Sequence, residues 1–179
     1  MQVVFDNTFL ALLLHPTAKP PLDPDTRKPV ERCQERIEHL VESLQHEGAR
    51  ILIPTPVLAE FLVLAGRDGS GHLDDLTGRS AAFRIEPFDQ LAAVELAALE
   101  LTARSKGDKR SGTSAPWQKV KFDRQIVAIA KTRNAACVYS DDRDVVSLCE
   151  RAGLRAIGVN TLPLPPPKDQ ALPFETENS

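Results

Sequence analysis

Short apolar runs alternate with stretches of helical period along this chain. Residues 2–5, with Val3-Val4-Phe5, read as a buried strand. Residues 8–14 read as a short helix stopped by Pro16. Residues 16–29 carry Pro16, Pro20, Pro21, Pro24 and Pro29 among several charges, which predicts a long loop. From 30 to 47 the spacing turns helical: Val30, Ile37, Leu40, Val41 and Leu44 form one stripe with charges opposite. Arg50-Ile51-Leu52-Ile53 is a second strand closed by Pro54. Thr55 is a suitable N-cap and Pro56 a suitable first residue for a helix over 56–65, ended by Gly66.

The second half repeats the alternation. Residues 67–80 are mixed polar with room for one short helix, and 81–86 predict a third strand. Residues 89–104 are rich in Ala, Leu and Glu and predict a helix. A polar loop over 105–116 precedes a helix at 118–132, a strand at 136–139, a helix at 142–152 and a last strand at 155–158. The predicted fold class is α/β: three layers, α/β/α, around a central, mostly parallel sheet of about five strands. Residues 1–162 are taken as one domain, and the Pro-rich residues 163–179 as a disordered tail.

Composition narrows the possibilities. At 179 residues with 42% apolar content, one domain with a substantial core is expected. A formal charge of −3 leaves no broad basic footprint, so any nucleic-acid contact must come from a local patch. Cys33, Cys137 and Cys149 are odd in number and lack metal-ligand spacing, which fits free thiols in a reducing, cytoplasmic setting. The start has no basic n-region, and the apolar residues 9–14 are too few to span a bilayer. There is no P-loop, no G-x-G-x-x-G and no His pair.

Four acids stand where acids are costly. Asp6 ends the first apolar run and is the only Asp, Glu, Lys or Arg in residues 1–18. Glu60 is the only such charge between Ile51 and Gly66. Asp123 shares a stripe with Ile126, Val127 and Ala130, and Asp142 follows the strand-like Ala136-Cys137-Val138-Tyr139. A lone carboxylate in an apolar segment needs a partner. A hard divalent cation, Mg2+ or Mn2+, would pair with all four. In a parallel sheet such a site belongs outside the carboxyl ends of the strands, where strand order reverses. Each acid also has a plain reading: Asp6 and Asp142 as helix N-caps, Asp123 as a favourable charge on a helix dipole, Glu60 as half of a buried salt bridge.

The ordered set resembles the PIN-domain family of metal-dependent nucleases. The matching motifs are Asp6-Asn7-Thr8 after the first strand, Leu58-Ala59-Glu60-Phe61-Leu62 in an apolar helix, Phe122-Asp123-Arg124-Gln125-Ile126 opening an Ala/Ile-rich helix, and Ser140-Asp141-Asp142-Arg143-Asp144-Val145 after a strand. They span residues 2–160 or so. The chain departs from compact VapC-type toxins in its longer segment before Glu60 and its expanded loop at 105–116.

The resemblance implies an endoribonuclease that cleaves RNA phosphodiester bonds with Mg2+ or Mn2+. It would use Asp6, Asp123, Asp142 and Glu60 as catalytic and metal-binding residues, with Asp141 the competitor of Asp142 as fourth ligand. Thr8 and Ser140 would bond a carboxylate or phosphate oxygen, or cap a turn. RNA contacts would come from Lys119, Lys121, Arg124, Lys131 and Arg143, from Lys106, Lys109 and Arg110 on the loop, and from Trp117 by stacking; each cation reads equally as part of a solvated charged face, and a lone Trp more often as a packing residue. Implied partners are a small antitoxin protein and a second copy in a homodimer, for which the helix at 30–47 offers an apolar surface. The competing readings are a catalytically silent PIN-like scaffold or binding module and a free-standing RNA-processing nuclease.

Overall fold

In the computed structural model, residues 1–15, 17–66, 82–107 and 115–166 are described, together with Gly71 and Gly78. Most of the short helix expected within 67–80, most of the 105–116 loop and the tail beyond 166 lie outside these residues. So do Pro16, Lys109 and Arg110.

Five strands form one sheet: β1 (Gln2–Phe5), β2 (Arg50–Pro54), β3 (Phe83–Glu86), β4 (Val138–Tyr139) and β5 (Ala156–Ile157). Their order is β3-β2-β1-β4-β5, and every pairing is parallel. The sheet is thus parallel throughout rather than mostly so. The chain builds outward from β1 through β2 to β3, then returns to β4 on the other flank. The reversal of strand order falls between β1 and β4, the strands that precede Asp6 and Asp142.

Val3, Val4, Phe5, Ile51, Leu52 and Ile53 are all buried. Continuous apolar runs of this kind suit a sheet covered on both faces. The six described helices are α1 (Asn7–Leu14), α2 (Cys33–His46), α3 (Thr55–Ala65), α4 (Gln90–Ser105), α5 (Trp117–Thr132) and α6 (Arg143–Arg151). α1 packs with α2 and α3, and α5 packs with α4 and α6. None is long and apolar enough to cross a membrane. The three cysteines are free and buried.

Some boundaries differ from expectation for local reasons. Arg32, with φ of 54°, breaks the path into α2, so that helix starts at Cys33 rather than at 30. The side chains of Ile37, Val41 and Leu44 lie in the core, so the α2 stripe is used inside the fold and is no free dimer surface. Exposed apolar side chains lie on other helices, at Val63 and Leu64 of α3 and Leu91, Val94 and Leu101 of α4. Thr55 does not cap α3. It is the first helical residue, and its Oγ1 accepts a hydrogen bond from Phe88 N, tying β3's exit to the helix. Gly66 ends α3 with φ of 61°, a conformation that favours glycine. The strands expected at 136–139 and 155–158 shrink to two residues each, although Ala136 N still donates to Gln2 O.

Candidate metal centre at the switch point

Asp6 leaves β1 and turns directly into α1. Its Oδ1 accepts from Phe9 N at 3.1 Å, the N-cap bond expected of an Asp there. Its Oδ2 accepts from Ser140 Oγ and, at 3.4 Å, from Thr8 Oγ1. Asp6 is therefore both a cap and a buried carboxylate held between β1 and β4. Burial pushes its carboxyl up to about 7 against these hydrogen bonds, and the charges of Asp141 and Asp142 add to the rise.

Asp123 projects from the second turn of α5 and is also buried. Burial lifts its carboxyl to about 6, although Lys119 works against the rise. Asp142 is the N-cap of α6, with Oδ1 accepting from Asp144 N at 2.8 Å. Ser140 Oγ in turn accepts from Asp142 N at 3.1 Å, so one hydroxyl links Asp6 to the start of α6.

Carboxylate oxygens of Asp123, Asp142 and Asp144 lie within 4.8 Å of one another. Asp144 was not among the expected ligands. It is the second Asp of the Ser140-x-Asp142-x-Asp144 motif and stands in the first turn of α6, where a negative charge is favoured. Lys119 sits inside this group, with Nζ 2.9 Å from Asp123 Oδ2, 2.9 Å from Asp142 Oδ2 and 3.2 Å from Asp144 Oδ2. Burial opposes its charge, but the bonds to Asp142 and Asp123 prevail and hold the ammonium well above its ordinary range.

A cavity of about 610 Å³ opens onto these groups, lined by Asp6, Glu60, Lys119, Asp123 and Asp142 and walled by apolar side chains that include Leu64, Phe122 and Ile126. All four sequence-picked acids therefore reach one cavity. They do so unequally. Asp6 and Glu60 line it but stand outside the close triad. Glu60, expected among apolar neighbours, is exposed: Val57 and Phe61 turn into the core, while Val63 and Leu64 face solvent at 81% and 69% exposure. Its apolar surroundings in sequence are not apolar surroundings in space.

Asp141 and Asp142 send their side chains to different places. Asp141 Oδ1 accepts from Val159 N at 3.1 Å and lies against Gly158, where a Cβ would come within 2.9 Å of it. Its side chain belongs to a separate cavity with Arg143 and Asn160. Burial raises its carboxyl to about 6.

The basic residues expected to contact RNA are mostly engaged elsewhere. The Arg124 side chain is 3% exposed, 4.0 Å from Glu100 and over the ring of the half-buried Trp117, so its guanidinium is used in packing rather than offered to a ligand. Lys131 pairs with Glu95 at 2.6 Å, and Lys121 lies over the Trp117 ring. Lys106 lines a cavity with Arg124, not with the acids. Of the candidate cations among the described residues, Lys119 is the one that lines the acid cavity.

The residues fit a hard cation. Three carboxylates converge on a point that already holds a positive group, and oxygen donors alone suit Mg2+ or Mn2+. The pattern of the PIN domain matches residues 25–151, so the chain belongs to the PIN-domain family. That span starts after Asp6, which the fold rather than the family match brings to the site. No curated protein matches the chain by sequence. Among solved structures, it is similar to a chain of VapBC from Salmonella typhimurium bound to DNA (15% identity, TM-score 0.56, 89% of this chain and 98% of that one). It is similar as well to a chain of VapBC2 from Rickettsia felis bound to a promoter DNA fragment (14%, 0.54, 88% and 98%). A third is VapC20 of Mycobacterium tuberculosis, described as a toxin that cleaves the sarcin-ricin loop (16%, 0.53, 90% and 99%). At these identities the likeness is one of fold.

Proposed function

We propose that this chain is a metal-dependent endoribonuclease of the VapC kind, held in check by a small antitoxin partner. The observation that carries the reading is the convergence of Asp123, Asp142 and Asp144 beside a cavity that Asp6 also lines, at the reversal of strand order, in a family of nuclease fold. The antitoxin rests on the neighbours being VapBC complexes, and RNA as substrate on the activity named for VapC20.

Asp123, Asp142 and Asp144 supply the oxygens that would hold Mg2+ or Mn2+. When bound, such an ion lowers the pKa of a coordinated water and offsets charge growing on the phosphate. Asp6, fixed by Ser140 and Phe9 N, presents a rigid acceptor at the inner wall. Glu60, exposed on α3 and lining the same cavity, orients water or holds a second ion. The rest of the lining is largely apolar, with Leu64, Phe122, Ile126 and Val145.

The test is calorimetric titration of Mn2+ and Mg2+ into wild type and Asp123→Asn, with cleavage of a mixed RNA pool followed in parallel. Expected are wild-type binding and cleavage, with cleavage reduced roughly a hundredfold or more in the variant, as when a key electrostatic group is lost. Absence of metal binding by wild type would overturn the reading. Metal binding without cleavage of any RNA would favour the silent scaffold.

A further inference from the structure

Lys119 lies among acids, part-buried beside the cavity they line. Its Nζ contacts three acids at 2.9, 2.9 and 3.2 Å, and these are the three whose oxygens converge within 4.8 Å. The contact has two origins. Asp123 lies four residues along α5, one turn away on the same face. Asp142 and Asp144 come from the start of α6, which packs against α5. One ammonium among three carboxylates leaves the group with a net charge of about −2 when all are ionised.

We propose that the Lys119 ammonium and a divalent cation compete for the same three carboxylates, so that metal binding expels Lys119 and the residue sets the threshold of metal concentration at which the site fills. The proposal rests on the metal-dependent reading of this cavity given above. The physical reason is mutual exclusion. Oxygen ligands bind a hard divalent ion at about 2.0–2.6 Å, and an ammonium hydrogen-bonded to the same oxygens occupies the space between them. The side chain is 39% exposed, so its four-carbon stem has a way out toward solvent without unwinding α5. A metal-competent state in which Lys119 is withdrawn must be populated first. If that state holds a tenth of the molecules or less, apparent metal affinity is weakened about tenfold or more.

Two measurements test this. The first is calorimetric titration of Mn2+ into wild type, Lys119→Met and Lys119→Arg. Lys119→Met is expected to bind Mn2+ about tenfold more tightly than wild type, while Lys119→Arg, which keeps a cation there, gains much less. Equal or weaker binding by Lys119→Met, with wild type binding normally, overturns the competition and leaves the nuclease reading standing. Failure of both to bind Mn2+ overturns both. The second uses unmodified protein and so does not depend on the variants folding. The rate at which an amine-acetylating reagent modifies Lys119 is followed by mass spectrometry with and without Mn2+. Expulsion predicts a rate several-fold higher once Mn2+ is bound. A rate unchanged at saturating Mn2+ overturns the proposal.

Discussion

Glu86 and Asp6 are both buried carboxylates, 4% and 3% exposed, and each stands at the carboxyl end of a parallel strand. Their surroundings differ in one respect. Glu86 meets two guanidiniums, Arg133 and Arg84, and Arg133 also binds Asp89 at 2.6 Å. Two acids there face two arginines. Asp89, bonded by Ala92 N and Arg133, is held below the ordinary carboxylate range. At the switch point, the Lys119 ammonium is shared among Asp123, Asp142 and Asp144. Asp6 is bonded by hydroxyls and a backbone N–H, and burial drives both it and Asp123 upward. A balanced group of charges ties elements together. Acids crowded on one shared ammonium repel one another, and the proposed metal would offset that repulsion.

The contrast can be broken from either side, and stability of the metal-free protein is a common scale. The largest effect is expected at the balanced group. Arg133→Met leaves Glu86 buried with only the half-exposed Arg84, and breaking a buried pair costs about 3–5 kcal/mol. Denaturant unfolding measures the loss. The double variant Glu86→Met/Arg133→Met is expected to recover part of it, and RNA cleavage per folded molecule is expected to be unchanged. A loss below about 1 kcal/mol would place this group with ordinary surface pairs.

A smaller effect of opposite sign is expected at Asp6. Its carboxyl lies near 7 in the fold against 3.8 ordinarily. Between those values the folded state keeps a proton that the unfolded chain has released. The stability contributed by Asp6 is therefore fully present below about pH 4 and is lost as pH rises toward about 7. Asp6→Asn has no such proton to lose. In chelator, the variant is expected to gain on wild type as pH rises from 4 to 7, reaching about 1–3 kcal/mol. A gap that stays flat with pH would show that Asp6 is paired as fully as Glu86.

Much of this arrangement was legible in the sequence, and the gaps have physical causes. β1 and β2 announce themselves because strands buried on both faces must be apolar throughout. Asp6 and Asp142 stand out because each interrupts such a run at its end. Asp144 did not, since it lies in the polar stretch Asp141-Asp142-Arg143-Asp144, where an acid costs nothing locally. Its spacing from Ser140 and Asp142 was the available signal. Lys119 has i,i+4 spacing to Asp123, but that spacing is common on solvated helices and says nothing of Asp142 and Asp144 arriving from α6. The burial of Arg124 is hidden in the sequence for the same reason: Glu100 and Trp117 meet it only through the packing of α4 on α5 and across turns of α5 itself. Glu60 was misread because α3 is apolar all round. With no polar face to orient the helix, periodicity cannot tell Val57 and Phe61, which are buried, from Val63 and Leu64, which are not.

Glu60 is consequently where stability and function separate most cleanly, and the smallest stability effect is expected there. It is exposed on α3, so Glu60→Gln should change metal-free stability by less than about 0.5 kcal/mol at any pH between 5 and 8. Neither the stabilisation expected on losing an unbalanced acid nor the penalty of breaking a buried pair applies to it. Its place in the lining of the acid cavity is then the structural reason to assign it a role. If Glu60 orients water or a second ion, cleavage by Glu60→Gln falls at least about tenfold, a change of about 1.4 kcal/mol in the barrier, while Mn2+ affinity of the triad holds. Wild-type cleavage by the variant would make Glu60 a solvated acid beside the site, and the chemistry would rest on Asp6 and the three converging carboxylates alone.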